Sequence, residues 1–314
     1  MEKLDLEQYR NINKMLDDLN VAAKICSQRG LTDTGIWCAD MLKDLKCISG
    51  QDDQSSTTNQ SASNGSLASQ VNLISTSSLQ IADELPNFER TLYDLALPLF
   101  QKQQYRRVQE VVASTSSPLC RFLKYYATYF QTDYLRLSTN LQPIGGSGSD
   151  VTEDYADAMR QLLLEIEETM KTCTASSNDG FIHYLHAIVS ARIGCDKEFV
   201  QKSALRAVTL CPGIWAFWQF LSTFVPTIDD LDGLELPKHW YLPMFKAEAL
   251  YNMAEYGQAL DLYDQMGNYP LGHTNYIQLR LALTLKNLQQ TGRALAVSVF
   301  LTSFVGLHFC ISRL

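Results

Sequence analysis

The sequence predicts an all-α chain of stacked antiparallel helix pairs, on three observations. Apolar residues recur at steps of three and four, the signature of helices with one buried face. Strand-like alternation is scarce. A stretch in the C-terminal third repeats itself at a shift of 35 residues, a period typical of helix-pair arrays whose units cannot bury their apolar faces alone.

Composition bounds this further. The chain has 314 residues, 46% of them apolar and 19% charged, which suits a packed protein and not a disordered one. The length exceeds the roughly 250–300 residues that one core fills, so several domains or an elongated array are expected. With 26 Lys+Arg against 34 Asp+Glu the net charge is -8, which argues against a protein built to grip nucleic-acid phosphates. Met1 to Arg10 is polar and carries Glu2, Asp5 and Glu7, unlike a secretory leader. The eight cysteines show no C-x-x-C pairing, so zinc-ribbon and redox readings fail. Their scatter through apolar segments suits thiols packed as small hydrophobes in a reducing compartment, cytosol or nucleus.

Residues 1–47 form a predicted helical hairpin, with Ile12, Leu16, Leu19, Ala23 and Cys26 on one face. Residues 48–82 are dominated by Ser, Thr, Asn and Gln and are expected to be a disordered linker, because they bury too little to offset their ordering entropy. Residues 83–138 read as degenerate repeat helices around Ala96, Leu99, Tyr105, Val108 and Val112. Residues 139–152 hold Gly145-Gly146-Ser147-Gly148-Ser149, a loop without the lysine that phosphate binding needs. Asp150 and Glu153 are spaced as a reciprocal cap for a helix presenting Tyr155, Met159, Leu162, Leu163, Ile166 and Met170. Residues 153–293 are the repeats, and 294–314 a divergent apolar tail.

Within the repeats Tyr241, Ala247, Leu250, Asn252, Ala259 and Leu260 fall on Tyr276, Ala282, Leu285, Asn287, Ala294 and Leu295. The pattern is that of tetratricopeptide units, and the fold expected is a tetratricopeptide-type α-solenoid. Small residues sit where two helices cross closely: Ala247 and Ala282 on first helices, Ala259 and Ala294 on second helices, with Tyr263 as the ring one turn on. Leu250 and Leu285 complete the packing set. An upstream unit uses Ala187, Ala207 and Pro212, with a turn one residue too long. All of these are packing positions rather than ligands.

Two further runs of residues carry a resemblance. Cys26-Ser27-Gln28-Arg29-Gly30-Leu31, then Trp37 and Ala39, resembles the opening of the anaphase-promoting complex subunit 8 family, of the cell-division-cycle 23 type. The stretch from Phe181 to Leu221 is similar to a later part of that family, with Pro212 leading into Trp215-Ala216-Phe217-Trp218. Leu236-Pro237-Lys238-His239-Trp240 and Ala247-Glu248-Ala249-Leu250-Tyr251 continue it. The likeness is collinear from about residue 16 to 294, with the Ser/Thr-rich segment as an insertion. It implies a non-catalytic scaffold, in nucleus and cytoplasm, of a cullin–RING ubiquitin ligase that controls the metaphase–anaphase transition and mitotic exit. It also implies a homodimer through the N-terminal repeats and stacking against other tetratricopeptide subunits. No coactivator-binding residue carries over, because the chain stops before most of the later repeats that bear such contacts.

After Ala294 the pattern departs: Ser298 replaces the expected ring, and Ala294 to Ser312 contains no Asp, Glu, Lys or Arg. A truncated or alternatively spliced product is the favoured reading. A buried terminal helix and a tail anchor are the others, the last diluted by Ser298, Thr302, Ser303, Gly306, His308 and Ser312.

No catalytic residue, cofactor or metal site is assigned. His183 and His186 are three apart but lack a third ligand and a base. Asp229, Asp230, Asp232 and Glu235 read as a solvated loop, and Lys102, Arg106 and Arg107 as a small basic cluster. Trp215, Phe217, Trp218, Phe220 and Phe224 read first as core aromatics; because aromatics are enriched in binding hot spots, Trp215 and Trp218 are also candidate partner-surface residues. Lys246, Asn252, Arg280 and Asn287 are the set a generic peptide-clamping adaptor would aim at a ligand carboxylate.

Overall fold

The computed structural model describes residues 11–50, 85–140 and 148–304, and all regular structure among them is helical. A hairpin of α1 (Ile12–Gln28) and α2 (Thr32–Ser49) comes first. The array follows as α3 (Asn87–Gln101) with α4 (Tyr105–Val111), α5 (Pro118–Asn140) with α6 (Gly148–Thr172), and, after a short α7 (Thr174–Ser177), α8 (Gly180–Ile193) with α9 (Lys197–Leu210). Then come α10 (Trp215–Ser222), the short α11 (Ile228–Gly233), α12 (Leu242–Asn252) with α13 (Tyr256–Met266), a 3₁₀ turn at Pro270–His273, and α14 (Asn275–Asn287) with α15 (Thr291–Phe304). Each pair packs internally and against the next in the chain.

One turn device closes five of the pairs. A residue with positive φ follows the first helix: Gly30, Gln103, Gly194, Ala254 and Gln289. The next N–H then donates back to a carbonyl five residues earlier: Leu31 to Cys26, Gln104 to Leu99, Cys195 to Ser190, Glu255 to Leu250 and Gln290 to Leu285. This left-handed closure satisfies carbonyls that a helix end leaves free. Ala254 and Gln289 occupy equivalent places in the two units that repeat at 35 residues. The α8–α9 connection carries one residue more between Gly194 and Lys197 than its counterparts.

The small residues meet neighbours closely. Ala187, Ala207, Ala247 and Ala259 are wholly buried; Leu250, Tyr263, Ala282 and Leu285 are buried, and Pro212 and Ala294 partly so. The first unit has its own core around Tyr93, Ala96, Phe100, Val108 and Leu123, joined to the main core through Tyr126 and Phe130. Glu89 ties α3 to the start of α5, accepting hydrogen bonds from the Ser116 and Ser117 N–H groups at 2.9 and 3.0 Å. Burial would raise this carboxyl, but the bonds from Ser116 and Ser117 outweigh it and hold it below its ordinary value.

Some boundaries differ from expectation. The N-terminal hairpin runs to Ser49, where Gly50 caps it in a left-handed conformation, past the end expected at residue 47. The remainder of the expected linker, from 51, lies outside the described residues. Helix α6 starts at Gly148, so Asp150 lies inside its first turn instead of capping it. Of the tail, Ala294 to Phe304 belongs to α15, the second helix of the last pair; residues 305–314 lie outside the described residues. Among the described residues no helix is long and apolar enough to cross a membrane.

Candidate functional site

In an array of helix pairs the inner face, lined by first helices, is the expected place for a peptide or partner. Here the chain's own hairpin lies on it. Gly30 sits against the Phe100 ring of α3, so close that a Cβ there would come within 2.9 Å of it. Arg29 pairs with Asp179 at 2.7 Å, both buried, and its guanidinium lies over the rings of Phe181 (4.4 Å) and Phe122 (5.6 Å). Asp179 also caps α8 by accepting the Phe181 N–H at 2.9 Å. Trp37 stacks on Trp215 at 5.8 Å and meets Tyr241 and Tyr276 at 6.0 and 5.5 Å. Trp240 donates its indole N–H to Asp18 at 3.1 Å. At the far end Asp44 accepts from the backbone and side-chain nitrogens of Asn275, at 2.7 and 2.8 Å. The hairpin thus touches α3, α5, α8, α10 and α14 and the residues that lead into α12.

Burial tunes the ionisable groups at this contact. His239, just before Trp240, is pushed down to about 3 by burial, with Lys14 adding to the effect. Its Nδ1 accepts the Tyr241 N–H at 3.2 Å, as a neutral ring requires. Asp18 and Asp44 are raised by burial and pulled back by their hydrogen bonds to Trp240 and Asn275. The thiol of Cys26 is pushed up by burial, and that of Cys38 reaches about 12; such thiols are inert packing groups.

The proposed partner-surface residues are placed otherwise than expected. Trp215 and Trp218 are buried, the first beneath Trp37 and the second donating to the Pro212 carbonyl at 2.8 Å. Their aromatic area is consumed within the chain. Lys246 lies 4.0 Å from Asp232, and Asn252 donates to the Ser222 hydroxyl at 2.9 Å. Arg280 is buried against Glu248 at 2.6 Å with its guanidinium over Tyr251, whose hydroxyl accepts from Asn287 at 3.0 Å. Glu248 is raised by burial, and Arg280 counters it. Each of the four polar residues is thus engaged within the chain, Arg280 and Asn287 both at Tyr251.

The histidines have structural partners: His183 Nε2 meets the Ser177 carbonyl at 2.9 Å, and His186 Nδ1 meets the Ser203 hydroxyl at 2.9 Å. Among the described residues no three His, Cys, Asp or Glu side chains are grouped to hold a metal ion. Most of the expected acidic loop is the short helix α11, which holds Asp229, Asp230 and Asp232, and Asp230 accepts from the Thr227 hydroxyl at 2.6 Å. In the basic cluster Arg106 faces Glu110 at 3.6 Å and Arg107 donates to Gln104 at 2.8 Å.

One surface escaped the sequence reading. On α3, Phe88 and Leu95 are 68% and 54% exposed, and partly buried Leu92 and Leu99 continue the same stripe. The spacing of four, three and four residues is the signal that could have found it.

The comparisons with known proteins follow this geometry. Residues 14–269 match the family described as "Anaphase promoting complex subunit 8 / Cdc23", a span that holds nearly all of the hairpin and the face it fills as far as Tyr241, with α14 beyond it. "Anaphase-promoting complex subunit 8" of Arabidopsis thaliana is 24% identical over 216 residues, covering 67% of this chain and 36% of that protein. "Cell division cycle protein 23 homolog" of Homo sapiens, like that of Bos taurus, is 23% identical over 205 residues, covering 65% of this chain and 33% of the relative. The chain therefore spans about a third of the length of these relatives. With its distinctive N-terminal box and tryptophan-rich segment packed against each other and most of its length matched, the chain belongs to the Anaphase promoting complex subunit 8 / Cdc23 family.

Proposed function

We propose that the chain is a non-catalytic scaffold segment of the anaphase-promoting complex, acting in nucleus and cytoplasm where that ubiquitin ligase controls the metaphase–anaphase transition and mitotic exit. The observation that carries this reading is the filled inner face. A chain whose groove is taken by its own hairpin offers partners its outer surfaces and its ends, as a spacer between subunits does. The same observation disfavours a peptide-clamping adaptor, whose groove would have to be open.

For the homodimer, the α3 stripe is the surface we assign. It lies on the first unit of the array, an end that needs polar capping when it faces water. Its spacing reads the same in both directions, so two copies in antiparallel contact would set Leu92 against Leu95 and Phe88 against Leu99, as a two-fold contact requires. The other partners are tetratricopeptide subunits of the complex.

Affinity purification of the chain from dividing cells tests the scaffold reading: cullin–RING ligase subunits should co-elute, and their absence overturns it. Sedimentation tests the dimer. Leu95→Glu should shift the chain to monomer with unchanged helicity, and a wild-type chain monomeric at tens of micromolar overturns the α3 assignment.

A further inference from the structure

In a linear array each unit touches only its neighbours, so opening at one end stays there. This chain adds contacts that skip along the array. Within the hairpin, Gly30 abuts α3, Arg29 reaches α5 and the cap of α8, and Trp37 touches α10, Tyr241 and α14. Asp18 and Asp44 hold Trp240 and Asn275. Residues of the hairpin and residues from Phe122 to Ile277 share one continuous core. The links at the two ends differ in kind. The Arg29 link is a buried ion pair and the Asp44 link a pair of hydrogen bonds at the rim, so either can be cut without opening a cavity at the other.

We infer that the hairpin is a brace: it fixes the stacking of the units along its length and makes the array open as one body, so that a perturbation at the last pair is felt at α8. The coupling element is the hairpin itself and not the stack of neighbouring units. A scaffold segment built this way transmits a load between partners held at its two ends. The inference stands on the intramolecular contacts alone and does not depend on which complex the chain joins.

Hydrogen exchange of the full chain, read by mass spectrometry, tests it. Leu285→Ala loosens the packing of α14, and Leu285→Val does so more mildly if the first variant does not fold. In the otherwise unaltered chain either should speed exchange in α8 and α14 by a common factor, about tenfold or more. Combined with Asp44→Ala and Trp37→Ala, which together remove the hairpin's holds on Asn275 and Tyr276 of the last pair, the same change should speed exchange in α14 and α15 while α8 keeps the rate it has without the Leu285 change. Exchange rising only in α14 and α15 without the Asp44 change overturns the brace. A common rise that persists with Asp44→Ala and Trp37→Ala together also overturns it, because the coupling would then run through neighbouring units.

Discussion

Arg29 shows how much a single side chain carries here. Its charge is buried with that of Asp179, and its plane covers two aromatic rings. Removing one partner of a buried pair leaves the other charge uncompensated, which costs about 3–5 kcal/mol. Arg29→Met should lower the unfolding free energy read from urea denaturation by that amount, and Arg29→Met with Asp179→Asn should recover part of the loss. His239 gives a pH signature. Its ring is held neutral when folded, down to about 3, whereas in the unfolded chain it protonates near 6.5. The unfolded state therefore binds the extra proton between these values. Stability from this group is complete above about pH 6.5 and falls as the pH drops, at up to about 1.4 kcal/mol per unit. Asp18 and Lys14 face the same ring, so Lys14 opposes protonation and a charged Asp18 favours it. Unfolding measured from pH 7.5 to 4.5 should show this slope, and His239→Asn should flatten it. Neither role was legible in the sequence: Arg29 appears there only within a family-like box, and His239 only beside a tryptophan.

At the scale of elements, the pairs were legible because their signals are local. Alanines at the crossings and the repeat at 35 residues need only the chain near them. The turns were half legible: Gly30 and Gly194 announce a left-handed residue, whereas Gln103, Ala254 and Gln289 do not. Side chains with a Cβ are strained in that region by about 1–2 kcal/mol. Ala254→Gly should therefore stabilise the chain by about 1 kcal/mol, less the entropy that glycine adds to the unfolded state, a gain that thermal unfolding can read. In Gly194→Ala the same reasoning reverses the sign, with no steric neighbour to confuse it, because nothing lies within 4 Å of a Cβ there. The aromatic element Trp215–Ser222 stayed open between core and interface for a physical reason. A tryptophan at an interface and one in a core look alike in sequence, and only the arrival of Trp37 settles which this is.

For the whole molecule, an all-α array was legible and its inner occupant was not. The hairpin's docking joins residues 150 to 231 positions apart, and no periodicity records such pairings. The distinctive features of the sequence, the box around Arg29 and Trp37 and the segment around Trp215, appeared as separate family marks. In space they form one contact. The polar set Lys246, Asn252, Arg280 and Asn287 is likewise engaged within the chain, with Arg280 and Asn287 sharing Tyr251.

Docking of Asp44 on Asn275 also sets a schedule for biosynthesis. Translation delivers the N-terminal helices first and their last landing site 231 residues later, a wait of roughly 10–50 s at ribosomal speeds of about 5–20 residues per second. Until then the Asp44 end of the hairpin has no landing site, although those of Gly30 and Arg29 at Phe100, Phe122 and Asp179 emerge sooner. Nascent chains stalled before Asn275 clears the exit tunnel should leave this region open to protease and attractive to chaperones, and chains stalled beyond it should not.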